Sequence, residues 1–126
     1  MKIRVYYEDT DIGGVVYHSN YLNFCERARS ELFFAKGKTP ILEEGHFVAS
    51  TLEAKFLKPA KFADVLHVTT KLLKLKTASF ILEQKIYRDE ELLFTMNITL
   101  AHLDHDGKLS KMGEAVRTML LELIDT

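Results

Sequence analysis

Residues 9–33 read DTDIGGVVYHSNYLNFCERARSELF, and within this stretch a glycine loop gives way to a helix. The Gly13-Gly14 pair marks the loop, and Ser19 or Asn20 can cap the helix that follows. Over residues 20–35 the apolar side chains recur at helical spacing, namely Tyr21, Leu22, Cys25, Ala28 and Leu32. Charged side chains fill much of the opposite side, namely Glu26, Arg27, Arg29 and Glu31. The pattern predicts one long amphipathic helix that ends near Gly37 and buries its apolar face against another element.

Outside this helix, the chain shows the patterns of β-strands. Residues 2–9 are rich in Val, Ile and Tyr and predict a first strand. From residue 47 onward the period changes to two, and we expect strands over 47–57, 64–75, 78–88 and 92–103. Pro59 suits the connection between two of them, because proline cannot donate to a ladder. Short links such as RDEE favour antiparallel pairing, and residues 111–124 predict a short C-terminal helix.

The composition narrows the class of protein. The chain has 126 residues, of which 47% are hydrophobic and 28% charged, and this predicts one globular domain over residues 1–126. The net charge of −1 argues against nucleic acid as a partner. A single cysteine excludes an internal disulfide, and no apolar run approaches the roughly 20 residues of a membrane span. We therefore expect a cytoplasmic protein with no transmembrane segment.

The residues that could take part in catalysis concentrate around the double glycine. Asp9, Asp11 and His18 flank it, just before the predicted helix N-terminus. The first turn of a helix presents unpaired backbone N–H groups, which can hold a developing negative charge. A carboxylate on the preceding loop could then attack a carbonyl directly or through water. An Asp at such a position is more often a cap or turn residue, so the residues alone favour that simpler interpretation.

The same stretch resembles the signature of the hotdog-fold acyl-CoA thioesterases, most closely the YbgC-type subgroup of the 4-hydroxybenzoyl-CoA thioesterase family. The shared features are an Asp, a Gly, two valines, an aromatic residue, a His, and a helix that carries E-R-A-R. A second segment, FLKPAKFADVLHV, resembles the sheet segment of the family with its Pro-Ala step and downstream Asp. The resemblance implies an α+β hotdog fold, in which a long antiparallel β-sheet wraps around one central helix. It also implies a homodimer with a continuous sheet, often paired into a homotetramer, with the active site at the subunit interface.

The resemblance further implies hydrolysis of an acyl-CoA thioester to free acid and coenzyme A. Asp11 matches the catalytic carboxylate, as nucleophile or general base. His18 matches the position whose backbone N–H polarises the thioester carbonyl, and its imidazole is also implicated. Tyr7 is a candidate for shaping the site, Asp9 is interpreted as structural, and Glu26 as an ion-pair or packing residue. No metal and no resident cofactor is expected, because coenzyme A is part of the substrate.

Other interpretations of the function remain open. A YbgC-type protein could act mainly as an acyl-thioester binding protein or as a partner of the Tol-Pal cell-envelope system or of phospholipid-synthesis enzymes. A partner role could coexist with catalysis or accompany weak or no hydrolysis, and it could place the protein peripherally at the inner membrane. A hotdog hydratase or dehydratase would use a His and an acidic residue in another arrangement, which the sequence does not contain.

The remaining candidates have simpler interpretations. Cys25 lies on the apolar stripe of the helix, so a buried packing thiol is favoured over a nucleophile. His102 and His105 alternate with acidic residues in HLDHDGKLS, which is more typical of a solvated turn than of a metal site. Three lysines form a basic run that could protect a strand edge or meet the phosphates of coenzyme A, and the sequence does not decide: Lys71, Lys74 and Lys76.

Overall fold

The computed structural model describes residues 1–125 and contains five strands and two α-helices. Their bounds are β1 Lys2–Arg4, α1 His18–Phe34, β2 His46–Phe56, β3 Val65–Leu75, β4 Ser79–Arg88, β5 Glu91–Leu103 and α2 Glu114–Leu123. The strands form one sheet in the order β1-β3-β4-β5-β2, and every neighbouring pair is antiparallel. The expected hotdog fold, with a long central helix and a short C-terminal one, is confirmed. Thr126, the last residue of the expected domain, lies outside the described residues.

The strands agree with the sequence pattern except at the N-terminus. Each of β2 to β5 begins and ends within one residue of the predicted bounds. The predicted strand over 2–9 is wrong beyond residue 4, because residues 7–9 form a single 3₁₀ turn. The carboxylate of Asp9 accepts the backbone N–H of Tyr6 at 2.9 Å and holds this turn. The chain thereby leaves the sheet early and is directed towards the start of α1.

The core lies between α1 and the inner face of the sheet. Phe24, Cys25 and Ala28 of the helix are buried in one cluster with inward-facing side chains of β3, β4 and β5. Irregularities in pairing beside Ser50 of β2 and Leu73 of β3 allow these long strands to bend. The apolar residues that alternate along β5, such as Phe94, Met96 and Ile98, are those on the buried face of the sheet that packs against the helix.

The two ends of α1 are stabilised differently. The helix begins at His18, two residues before the expected Asn20, and no side chain caps it. The prediction of a Ser19 or Asn20 cap is wrong, because the Asn20 side-chain amide instead donates to the backbone oxygen of Asp9 at 2.9 Å. At the other end Gly37 has φ +68°, and the N–H groups of residues 37 and 38 return to the carbonyls of residues 34 and 33. This is a Schellman cap with glycine at the left-handed position, as the sequence predicts.

Neither helix within residues 1–125 has the length and apolarity that crossing a bilayer requires.

Candidate functional site

Asp11 lies in a tight loop that its own side chain organises. The backbone N–H of Asp11 donates to the carbonyl of Val15 at 2.8 Å, and the N–H of Gly14 donates to the carbonyl of Asp11 at 3.0 Å. The side-chain oxygen Oδ1 accepts the N–H of Gly13 at 2.8 Å and that of Val15 at 3.4 Å. Gly14 adopts φ +80°, which glycine accommodates without strain. Asp11 therefore does act as a turn residue, but through one oxygen only.

The second carboxylate oxygen of Asp11 is available for chemistry. Within residues 1–125 no donor forms a hydrogen bond to Oδ2, and the side chain is exposed. The carboxylate lines an open cavity of about 370 Å³, whose lining residues are Tyr7, Thr10, Asp11, Ile12, Gly14 and Phe62. The structure thus brings Tyr7 and Asp11 together, with two large apolar side chains beside them. His18 is not among the residues that line this cavity.

His18 is the first residue of α1, six residues after Ile12 in the chain. Its imidazole is exposed and packs on the ring of Tyr17, with 4.4 Å between the centroids. The backbone N–H groups of residues 18 and 19 have no hydrogen-bond acceptor in the described part of the chain. They carry the positive end of the helix dipole, so this terminus can stabilise an anionic oxygen.

The connection between β2 and β3 holds both parts of the site. The carbonyl of Ala60 accepts the backbone N–H of Val16 at 2.9 Å, and its N–H donates to the phenolic oxygen of Tyr21 at 3.1 Å. Val16 ends the Asp11 loop and Tyr21 belongs to the first turn of α1, so one buried alanine fixes the two segments relative to each other. The Tyr21 ring also stacks on Phe94 at 5.2 Å. Tyr21 and Ala60 were not predicted as site residues, although the Pro-Ala step was the available signal.

An ionic cluster anchors this same connection. Asp64 accepts the backbone N–H of Lys61 at 2.8 Å and a guanidinium N–H of Arg88 at 2.7 Å. Arg88 also pairs with Glu91 at 2.6 Å across the β4–β5 turn. The hydrogen bonds from Arg88 to Asp64 and then Glu91 raise the pKa of the guanidinium above its usual value. The downstream Asp of the second motif is thus a support of the loop rather than a group facing the cavity.

Asp9, Glu26 and Cys25 lie in or just before α1, and the structure shows what surrounds each of them. Asp9 is buried, and its backbone carbonyl accepts the N–H of Tyr17, in agreement with a structural role. Glu26 is exposed and forms no salt bridge within residues 1–125; its carboxylate accepts the Ser30 hydroxyl at 2.8 Å, and its charge acts to raise the pKa of Arg29. Its interpretation as an ion-pair or packing residue stays a prediction. Cys25 is fully buried, and burial raises the pKa of its thiol to about 12, which confirms a packing role.

The acidic and histidine residues of segment 102–106 lie at the end of β5 and in the turn that follows it. Oδ1 of Asp104 accepts the backbone N–H groups of Asp106 and Lys108 at 2.9 and 3.0 Å. His102 is buried, with Nδ1 2.9 Å from the carbonyl of Ser110, and His105 contacts the backbone of residue 43. In residues 1–125 no group of three or more such side chains has the arrangement that a metal ion needs.

The basic run lies away from the Asp11 cavity. All three lysines are exposed on β3 or just after it, and none lines that cavity: Lys71, Lys74 and Lys76. β1 pairs with β3 only over residues 65–67, and Lys71 pairs with Asp125 in an isolated bridge. Beyond that bridge, the edge of β3 that carries Lys74 pairs with no strand of residues 1–125. Lysines at such a position discourage pairing with other strands.

The chain is similar to known thioesterases in sequence and in fold. Residues 13–95 match the family model described as the thioesterase superfamily. A Helicobacter pylori protein named acyl-CoA thioesterase YbgC is 51% identical over 87 residues, and the match covers 69% of this chain but only 65% of that protein. The Haemophilus influenzae protein of the same name is 42% identical over 106 residues, which cover 81% of this chain and 78% of that protein. The crystal structure of a probable thioesterase from Bartonella henselae superposes with a TM-score of 0.84 at 33% identity, covering 90% of this chain and 97% of that one.

Proposed function

Because the chain belongs to the thioesterase superfamily, we propose that it hydrolyses acyl-CoA thioesters to a free acid and coenzyme A. The observation that carries the proposal is the state of Asp11. Its Oδ1 accepts two backbone N–H groups of the turn, whereas its Oδ2 accepts no hydrogen bond within residues 1–125, and the residue lines an open cavity together with Ile12 and Phe62. The names of the YbgC relatives supply the substrate class.

In the proposed reaction Asp11 attacks the thioester carbonyl or removes a proton from the water that does so. The carbonyl becomes a tetrahedral oxyanion, the carbon–sulfur bond breaks, and coenzyme A leaves as a thiolate that takes up a proton. The net change is the addition of one water across the thioester. This chemistry requires no metal or redox cofactor, so dialysis against a chelator should leave turnover unchanged.

The start of α1 supplies the second part of the proposed mechanism. The backbone N–H of His18 lies at a helix terminus without a side-chain cap, and such donors stabilise an oxyanion without reorganising. The exposed imidazole of His18, oriented by Tyr17, can orient the substrate or move a proton. Tyr7 is proposed to shape the site rather than to react, since it forms the cavity wall beside the carboxylate.

A second copy of the chain is proposed to complete the site. β2 is the outermost strand of the sheet and is 11 residues long, and its far edge pairs with no strand of residues 1–125. Its exposed apolar side chains include Val48, Leu52 and Phe56. Long unprotected edges invite pairing, and a twofold axis beside β2 would give a continuous sheet. Sedimentation should show a dimer or a tetramer, and a stable monomer of 14.5 kDa at micromolar concentration would contradict this proposal.

The decisive experiment is a panel of acyl-CoA thioesters of varied chain length, together with aromatic ones, assayed for thiol release. We expect wild-type protein to hydrolyse at least one member and the Asp11→Asn variant to lose that activity. Saturable binding of acyl-CoA without any thiol release would instead support the acyl-thioester binding role. A cytoplasmic location and contacts with Tol-Pal or phospholipid-synthesis proteins stay predictions, to be tested by fractionation and cross-linking in the native host.

A further inference from the structure

A second cavity lies between the C-terminal half of α1 and the inner face of the sheet. Its volume is about 140 Å³, and its walls are largely apolar, including Leu32, Phe33, Phe47, Phe80, Leu82 and Leu100. It shares no lining residue with the cavity of Asp11. Apolar cavities of about 150 Å³ accept a benzene ring in other proteins. This cavity therefore has room for one aromatic ring or a short alkyl chain.

Arg29 is the one cationic side chain that lines this cavity in the described part of the chain. It was predicted on the polar side of the helix, but it is half-buried and its Nη1 donates to Oε1 of Gln84 at 2.9 Å. Gln84 is fully buried and is itself fixed, because its amide nitrogen donates to the carbonyl of Cys25 at 2.9 Å and to Oγ1 of Thr70 at 3.0 Å. The guanidinium is consequently held in place at the cavity by a rigid neutral partner.

The guanidinium of Arg29 forms no salt bridge in the described part of the chain, although the charge of Glu26, three residues earlier on α1, acts to raise its pKa. No carboxylate within residues 1–125 lies within 4.0 Å of its guanidinium nitrogens. Glu26 also borders the cavity, but it is exposed and accepts the hydroxyl of Ser30. Burial lowers the pKa of Arg29, although a guanidinium remains protonated at neutral pH. A partly desolvated cation with unused donors is a favourable partner for a carboxylate, which it can bind with two parallel hydrogen bonds.

We propose that this second cavity binds a small carboxylate bearing one aromatic ring or a short alkyl chain, with the apolar group among the leucine and phenylalanine side chains and the carboxylate on Arg29. The apolar walls favour burial of the ring, and the cation distinguishes an acid from a neutral compound of the same shape. The site is independent of Asp11 and does not require the proposed hydrolysis. Its ligand class is the small organic acids.

The test compares benzoate with benzyl alcohol by calorimetric titration of the intact protein. We expect saturable binding of about one benzoate per chain, and binding of benzyl alcohol at least ~10-fold weaker. Arg29→Met should remove this preference, whereas the matched control Arg27→Met, on the same helix but outside the cavity, should bind as wild type. Leu82→Phe places a larger side chain inside the cavity and should weaken the binding of both compounds.

Two results would overturn the proposal. One is the absence of saturable benzoate binding, or benzoate binding no tighter than that of benzyl alcohol. The other is an Arg29→Met variant that binds benzoate with wild-type affinity. If Asp11→Asn then loses benzoate binding, the compound occupies the cavity of Asp11 instead. If Arg29→Met does not fold because Gln84 loses its donor, Arg29→Lys serves instead. This variant keeps the charge but not the planar fork, and it should bind benzoate several-fold more weakly while binding benzyl alcohol normally.

Discussion

Asp11→Asn separates the two roles of this side chain, because the structure assigns them to different oxygens. Asparagine retains an Oδ1 that can accept the backbone N–H groups of Gly13 and Val15, so the turn should persist. The substitution replaces the unengaged Oδ2 with an amide nitrogen, which can neither attack a thioester nor take a proton from water. The perturbation is therefore a loss of chemistry with little loss of structure.

The two consequences differ greatly in size. The hydrogen bonds from Gly13 and Val15 weaken only because their acceptor loses its charge, and they lie at an exposed position. We therefore expect the free energy of unfolding to fall by about 0.5 kcal/mol. For a domain of this length, that corresponds to a fall in Tm of no more than about 3 °C. The loss of a general base or nucleophile should lower kcat at least ~100-fold, or about 2.7 kcal/mol in activation free energy, with KM within a few-fold of wild type.

The assay is steady-state thiol release from the best acyl-CoA substrate of the panel, with thermal unfolding and sedimentation of the same samples. Asp104→Asn is the matched control, because Oδ1 of Asp104 also accepts the N–H groups two and four residues ahead, at 2.9 and 3.0 Å. This control loses the same charge from the same kind of turn and should keep wild-type kcat. Folded Asp11→Asn protein with near-wild-type turnover would refute the catalytic assignment and leave Asp11 a turn residue.

The other predictions concern α1. His18→Ala keeps the backbone N–H at the helix start but removes the imidazole, and we expect kcat to fall about 100-fold; unchanged kcat would confine the role of this residue to its backbone. Tyr21→Phe leaves the buried N–H of Ala60 without an acceptor and should lower the free energy of unfolding by about 1–3 kcal/mol, which urea denaturation measures. Unchanged stability would contradict the inference that the hydrogen bond between Ala60 and Tyr21 fixes α1 to the connection between β2 and β3. Cys25, with its thiol pKa raised by burial to about 12, should resist iodoacetamide at pH 8 in native protein and react fully in denaturant, so rapid native alkylation would contradict its burial.

Local patterns in the sequence were sufficient where a residue's environment follows from its neighbours along the chain. The alternation over β5 predicted its buried face, because side chains of a strand alternate between the two faces of a sheet. Gly37 marked the end of α1, because its left-handed conformation is a local property. The helix start was misplaced for the opposite reason. Asn20 bonds to Asp9, eleven residues earlier, so its side chain was not available as a cap.

The sequence by itself determined strands β2 to β5, most of α1 and the loop that carries Asp11, because periodicity and turn chemistry act over a few residues. Only the tertiary structure decided what each polar side chain of that framework contacts. It joined Val16 and Tyr21 through Ala60 of a distant connection, and it turned Arg29 from the expected solvent-exposed face towards Gln84. Such contacts depend on how the sheet curves around the helix and on which buried polar groups must find partners. Both are properties of the packed chain and not of any segment within it.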